Sequence, residues 1–411
     1  VTDPLEFAEQ LWAGAEVHPF GASGHVEIDP DTLFIASFAN VCALRTGDGL
    51  VVVDAGGPLT AAADLATLRG WSDEPVKTIV LTHGHIDHVH GLAGFDADSE
   101  ERGFDRPHVI AHANVPARFE RYRLTAGYNA EINRRQFQVD ELTWPTEYRA
   151  PDETYLDNLD FAIGDEILHL HHAKGETDDE TWIWAPDRGI VFCGDLFIWS
   201  CPNAGNPQKV QRYPAEWAAA MREMAALGPR ALLPGHGPPL VGEERVRTVL
   251  EDTAAFLEHL VSATVDLMNE GRSLDEILHL VEPLPELTDK PYLRPIYDEP
   301  EFIVRNIWRL YGGWFDGDPS SLKPAAQQAL AAELSNLAGG AVPVARRARE
   351  LLDKDRRLAA NLVELAFKAE PDDREVNEIR AEIYERRAQS EPSTMSKGIF
   401  SWAARTSRSR L

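Results

Sequence analysis

The run Thr82-His-Gly-His-Ile-Asp-His-Val-His-Gly91 constrains this chain more than any other ten residues. His83, His85, Asp87 and His88 stand in the spacing His-x-His-x-Asp-His. Before it lies Val76-Lys-Thr-Ile-Val-Leu-Thr82, β-branched, apolar and bounded by Pro75, which reads as a buried strand. Three imidazoles and a carboxylate are thus set where a strand ends and the chain turns. Imidazole nitrogen and carboxylate oxygen are the donors that zinc and similar borderline divalent ions accept. A solvated histidine-rich loop is the plainer reading, but it gives no reason for the spacing.

Four further segments put chemistry-bearing residues in turns, three of them after apolar runs. Leu50-Val-Val-Val-Asp54 leads into Ala55-Gly-Gly57, and Gly175-Glu176-Thr177-Asp178-Asp179 is a strongly acidic turn. Gly189-Ile-Val-Phe-Cys-Gly-Asp195 ends an apolar strand on an aspartate, and Ala231-Leu-Leu-Pro-Gly-His236-Gly frames a histidine with glycines. In this order the five segments resemble the motifs of the metallo-β-lactamase superfamily. The resemblance implies an α/β fold, the αββα sandwich, and a dinuclear centre of two divalent ions, zinc first and manganese or iron(II) next. His83, His85 and Glu176 would hold one ion, and Asp87, His88 and His236 the other. Asp195 would lie between them, so Asp87 and Asp195 are the carboxylates set against the reacting atoms. Asp54 falls where a carboxylate orients ligands rather than binding metal.

The third motif departs from the usual Gly-His-Thr, because Glu176 stands in place of the histidine. Alkylsulfatases of the superfamily also carry glutamate there. His169, His171 and His172 lie just upstream and compete for the role, and the spacing to Gly-Glu-Thr selects Glu176. Asp195 resembles the broader superfamily, since alkylsulfatases commonly have glutamate at the bridge.

With 67 acidic residues against 40 basic ones, the net charge is −27. Nucleic acid and anionic membrane both demand a positive footprint, so neither fits as a partner. An anionic small-molecule substrate would have to be drawn in locally. Asn203, Lys209, Arg212 and Tyr213, shortly after Asp195, are the candidates for that contact, with His172 beside them. Cys42, Cys193 and Cys201 show no paired spacing, which suits a reducing compartment. The acidic opening residues 1–10 lack the apolar core of a signal peptide, so the expected location is cytoplasmic. No run approaches the roughly 20 apolar residues of a membrane span.

Up to residue 244, short β-rich runs alternate with helical stretches. Leu33–Phe38, Val41–Arg45, Leu50–Asp54, Thr78–Leu81, His108–Ala111, Thr181–Ala185, Ile190–Cys193 and Ala231–Leu233 read as strands. Thr46-Gly-Asp-Gly49 signals a hairpin. Residues 112–160, rich in Arg, Tyr and Asn, read as a long insertion over the site. From 245 the chain reads as helical, starting with apolar positions Val246, Leu250, Ala254, Leu257 and Val261. Arg305-Asn-Ile-Trp-Arg309 and the aromatic turn Tyr311–Leu322 resemble the alkylsulfatase dimerisation domain, which implies a homodimer formed through an all-α domain. Leu358–Ala369 and Asp373–Ala388 flank Glu370-Pro371 as a helical hairpin, and the tail Ser390–Leu411 is either a short docked helix or partly disordered. The expected domains are therefore 1–244 (catalytic), 245–390 (helical dimerisation) and 391–411 (tail).

The function this implies is a dinuclear metal-dependent hydrolase acting on an alkyl sulfate or a similar small ester. A hydroxide bridging the metals would be its nucleophile, since a divalent cation lowers the pKa of bound water from 15.7 to about 7. A lactone, β-lactam or thioester is the alternative substrate class. A non-hydrolytic iron redox protein is the alternative of another kind, and the chain offers it no CxxC pair and no rubredoxin-like segment.

Overall fold

The computed structural model describes residues 3–411. The chain forms two compact units. The first takes residues up to Ala126, Pro145–Arg272 and Glu276–Gly313, and the second takes Gly127–Trp144, Ser273–Asp275 and Trp314–Leu411.

The first unit is built on two sheets. One contains β1 (Gly24–Asp29), β2 (Thr32–Ala36), β3 (Val41–Thr46), β4 (Gly49–Val53), β5 (Val76–Val80), β6 (His108–His112) and β7 (Glu153–Tyr155), side by side in chain order. The other contains β8 (Asn158–Ile163), β9 (Glu166–Ala173), β10 (Glu180–Ala185), β11 (Ile190–Gly194), β12 (Ala231–Pro234) and β13 (Leu240–Val241). Strands β4 to β7 run parallel, as do β11 and β12. Parallel neighbours need crossovers, and the helices Ala61–Trp71, Leu92–Arg102 and Pro214–Ala226 supply three of them.

Side chains alternate between the faces of a strand, and here both faces are apolar. Leu33, Ile35, Val52 and Ile79 pack with Leu68, Leu92 and Phe95 of two crossover helices. Phe34, Leu44, Val51, Val53 and Val80 pack instead with Leu168, Leu170, Trp182 and Phe192 of the other sheet. Trp217, Met221 and Met224, from the crossover helix Pro214–Ala226, belong to the same core. These layers form the αββα sandwich.

All eight expected strands are present, and Thr46 pairs with Gly49 across the expected hairpin. Strands β1, β7, β8, β9 and β13 were not legible in the sequence. β1, β7, β8 and β9 carry polar residues on a half-solvated face, as the alternating burial of Asn158–Ile163 shows, so they lack a continuous apolar run, and β13 has only two residues.

Helix Glu243–Asn269 carries the expected apolar positions. Its face Val246, Leu250 and Leu257 joins the first unit's core, together with Ile277, Ile303 and Ile307. The compact units therefore do not part at 244/245. An amphipathic stripe reveals that a helix has a buried face, not what that face is buried against. The insertion also divides: helix Val115–Leu124 belongs to the first unit, whereas Gly127–Trp144 groups with the second.

The second unit packs helices Gln327–Leu337, Ala341–Leu351, Arg356–Ala369, Arg374–Ser390 and Thr394–Arg408. Its core includes Val344, Ala348, Val363, Ile379, Ile383 and Ala403. Asp355, Asp373 and Ser393 cap three of these helices through their side chains. The tail is a docked helix, and the buried Arg380 holds it by donating to the Ala403 carbonyl (2.7 Å) and Ser407 Oγ (2.9 Å). Among the described residues, no helix is long and apolar enough to cross a membrane.

Candidate metal centre

The carboxyl ends of β4, β5, β11 and β12 deliver Asp54, the His83–His88 turn, Asp195 and His236. Asp54 adopts φ 60°, a left-handed conformation uncommon for a residue with a side chain. There its carboxylate accepts from Thr82 N (2.7 Å), Thr82 Oγ1 (2.8 Å) and His88 Nδ1 (2.8 Å). With Nδ1 engaged, His88 turns Nε2 toward Asp195 Oδ1 at 3.4 Å. His236 is set in the same way: Nδ1 donates to the Phe38 carbonyl, leaving Nε2 3.4 Å from Asp195 and 3.5 Å from Asp87. His83 Nδ1 lies 3.1 Å from Thr82 Oγ1, and its Nε2 lies 2.9 Å from His85 Nδ1 and 3.7 Å from Asp195 Oδ2. His83, His88 and His236 thus each have one nitrogen supported from outside and the other turned toward the centre, the usual arrangement around a ligated ion.

Two donor groups result, His83–His85–Asp195 and Asp87–His88–His236, each with its donor atoms within 4.8 Å of one another. His88 Nε2 and Asp195 Oδ1 are buried with no hydrogen-bond partner. Unsatisfied buried atoms of this kind call for an explanation, and nitrogen and oxygen donors in threes fit divalent ions of the zinc type. Gly235 is required here, because a Cβ on it would collide with Asp195 Oδ1. Burial and the neighbouring His88 push His83 down to about 3, so it stays a neutral donor.

Glu176 borders the first group, with Oε1 3.7 Å from His85 Nδ1. The same oxygen accepts from Arg212 Nη1 and Asn203 Nδ2, both at 2.6 Å, and Arg212 Nη1 also donates to the Glu176 carbonyl. Asn203 and Arg212, expected against a substrate, are both buried and both reach Glu176. The sequence could not show this, since a loop arginine is usually solvated. Lys209 and Tyr213 are half-buried. Burial and Arg212 lower the Lys209 ammonium to about 8, against opposing attraction from Glu176 and Asp87. The upstream histidines belong to neither donor group. His169 bonds Asp160, His171 bonds Asn158, and His172 stacks on His112 at 3.7 Å.

Four polar residues escaped the sequence reading. Arg118 is buried and donates to Asp179 at 2.7 Å, and Asp179 in turn accepts from Gly84 N at 3.2 Å. This ties the acidic turn to the His83–His88 turn. Burial works against an ionised Asp179, but Arg118 outweighs it and holds the carboxyl at about 2. Glu180 is fully buried with Oε2 3.7 Å from His83 Nδ1. Asp298 accepts from Gly205 N (2.6 Å) and Asn206 N (3.0 Å), fixing the loop that carries Asn203. The run Asp178-Asp179-Glu180 reads as a solvated acidic turn, and nothing around Arg118 or Asp298 marks either one out.

Substituting Asp54→Asn should weaken divalent-ion binding at His88 by about 10- to 100-fold, the usual cost of losing an outer partner. Competition with a chelator of known affinity reads this directly, and unchanged affinity would rule out the orienting role.

Residues 35–236 match the family model described as metallo-beta-lactamase superfamily, and residues 273–410 match the one described as alkyl sulfatase dimerisation. The chain carries a metallo-β-lactamase superfamily domain followed by an alkyl sulfatase dimerisation domain. It is similar to a linear primary-alkylsulfatase of Pseudomonas sp., 28% identical over 366 residues, which covers 84% of this chain and 69% of that protein. An (R)-specific secondary-alkylsulfatase of Pseudomonas sp. is 25% identical over 405 residues, covering 91% of this chain and 61% of that one. The solved structure of a stereoselective inverting sec-alkylsulfatase from Pseudomonas sp. shares the fold, with a TM-score of 0.84 at 23% identity over 94% of this chain and 66% of that chain. The chain spans between 59% and 69% of the length of the curated relatives it matches.

Proposed function

We propose that this chain is a dinuclear metal-dependent hydrolase of small sulfate esters. The observation that carries the reading is Asp195, a buried carboxylate reaching His83 on one side and His88 and His236 on the other. His83, His85 and Glu176 would hold one divalent ion and Asp87, His88 and His236 the other, with Asp195 shared. Two such ions supply an acidified water at neutral pH and offset charge on the ester oxygens. Zinc suits the donors, and the carboxylates also admit manganese or iron(II). Asp54, Thr82 and the Phe38 carbonyl orient the imidazoles, while Arg212 and Asn203 hold Glu176. Lys209, with Tyr213 four residues further along the chain, would supply the cation that meets an anionic ester in a chain of net charge −27. A reconstituted sample tested on alkyl sulfates, phosphate esters, lactones and β-lactams decides the matter. Sulfate turnover that stops with chelation and returns with metal is the expected outcome, and turnover of lactones alone would move the reading to a neutral substrate.

Lys209→Met should raise KM for an alkyl sulfate by about 10- to 100-fold, the worth of a charged hydrogen bond, with metal content unchanged. An equal KM in both proteins would remove Lys209 from the site.

The chain should also work as a homodimer through its helical unit. Supporting this, Trp314, Leu322, Leu330 and Leu337 of that unit are exposed apolar side chains, Leu337 at 78% and Trp314 at 69%. Isolated exposed leucines are ordinary, but Leu330 and Leu337 stand seven residues apart on helix Gln327–Leu337 and so share one face, and an exposed apolar face fits a contact surface. Sedimentation should give twice the chain mass, and Leu330→Glu combined with Leu337→Glu should halve it. A wild-type monomer at micromolar concentration would refute the dimer.

A further inference from the structure

Helix Val115–Leu124 comes from the stretch that reads as an insertion over the site, and it buries one charged side chain, Arg118, at 3% exposure. Arg118 Nε donates to Asp179 Oδ2 at 2.7 Å and its Nη2 to Asp178 Oδ1, so one guanidinium spans two neighbouring carboxylates of the acidic turn. Asn114, just before the helix, donates from Nδ2 to the Asp178 carbonyl at 2.9 Å. Asp179 is fully buried and extends the network: Oδ2 accepts from Gly84 N at 3.2 Å and Oδ1 from Thr177 Oγ1. A Cβ on Gly84 would come within 2.9 Å of Arg118 Cδ and 3.0 Å of Asp179 Oδ2, so glycine at this position is what lets the three segments meet.

What this network reaches is one-sided. Gly84 stands between His83 and His85, and Thr177 follows Glu176. Those are the three donors proposed for the first ion. Among the described residues, no hydrogen bond from outside the centre reaches the His85 ring, whose Nδ1 lies 2.9 Å from His83 Nε2 and 3.7 Å from Glu176 Oε1. The direction of that ring therefore rests on the backbone at Gly84. The other half of the turn is anchored elsewhere. Asp54 bonds His88 Nδ1 at 2.8 Å, Ala55 N donates to the His88 carbonyl at 2.7 Å, and the Phe38 carbonyl accepts from His236.

We propose that Arg118, acting through Asp179, is a positioning residue for one metal position only, the one formed by His83, His85 and Glu176. The inference rests on the dinuclear reading and divides its outer support in two: Asp54 sets the donors of one ion, and Arg118 those of its neighbour. Loss of an outer partner costs about 10- to 100-fold in metal affinity. The bond from Thr181 N to the Thr82 carbonyl, 2.6 Å, still joins the two turns without Arg118, so the position should weaken rather than vanish.

The test is stepwise zinc binding to the full chain, read by competition with a chelator of known affinity. Arg118→Met alone would strand the Asp179 carboxylate, so it is paired with Asp179→Leu, since exchanging both partners of a buried ion pair for apolar residues is often neutral for folding. Wild type should bind two ions in two steps. The paired variant should weaken one step by about 10- to 100-fold and keep the other. Asp54→Asn should weaken the opposite step, so adding it to the paired variant should weaken both. A combination that still weakens a single step would place Arg118 and Asp54 on the same ion and overturn the proposal. Arg118→Lys should fall between wild type and the paired variant, because an ammonium cannot reproduce the fork across two carboxylates. It carries the test by itself if the paired variant does not fold. Equal weakening of both steps, with a lower melting temperature of the metal-free protein, would make Arg118 a general support of the fold and overturn its selective role. Two unchanged steps would overturn it as well, while leaving the dinuclear reading in place. Fewer than two zinc ions in wild type would overturn that reading itself, and the inference with it.

Discussion

Asp195→Ala should empty both metal positions together and abolish hydrolysis. Its two oxygens reach different partners, Oδ1 lying 3.4 Å from His88 Nε2 and Oδ2 3.7 Å from His83 Nε2 and 3.4 Å from His236 Nε2. No other carboxylate among the described residues touches both donor groups in this way. Loss of an outer partner costs about 10- to 100-fold in affinity, so loss of a shared donor should cost more than about 100-fold at each position. Elemental analysis after gel filtration should find well under one ion per chain, where wild type should retain two. Removing one carboxylate also relieves the crowding of Asp195, Glu176 and Glu180, which desolvation and mutual repulsion make costly. The variant should therefore fold, with a melting transition near that of metal-free wild type. A variant that keeps one tightly bound ion would show that the bridge is not shared.

Arg212→Met should be the most destabilising single change in the site. The arginine is 1% exposed and its guanidinium is spent on the Glu176 carboxylate and carbonyl. Taking away one partner of a buried pair leaves a charge without compensation, at a cost of about 3–5 kcal/mol. The Asn203 amide alone would then hold Glu176. Burial already raises the Glu176 carboxyl, with Arg212 the main opposing influence, so its loss favours a protonated side chain and a poorer metal donor. The expected result is a clear fall in unfolding midpoint together with weaker metal retention. Arg212→Lys should rescue only part of it, because an ammonium cannot reproduce the guanidinium's fork of donors. An unchanged metal content with only KM raised would return Arg212 to the substrate.

The candidate donors and the carboxylate that orients them were legible because they are local. His83, His85, Asp87 and His88 share one turn, and Asp54, Asp195 and His236 each follow an apolar strand whose end is visible in the sequence. The eight central strands were legible for the same reason, since burial on both faces demands uninterrupted apolar runs. Strands β8 and β9 were hidden because His169, His171 and Asp160 occupy their solvated faces. Arg118, Glu180, Asp298 and Phe38 were hidden because their meaning lies in a partner far along the chain: Asp179, His83, Gly205 and His236 respectively.

What the sequence determined by itself, then, was the chemistry available and its order: a strand-end metal motif, an αββα pattern before it and after it, and helices to follow. Tertiary structure alone decided which charges face one another. A loop arginine and asparagine met Glu176, the helices between Glu243 and Gly312 joined the first unit's core while the later ones formed a core of their own, and an aromatic ring stayed in solvent beside His236. Composition and periodicity report how much of a side chain is buried along one element. Which neighbour it is buried against depends on contacts between segments tens to hundreds of residues apart, and no local pattern records those.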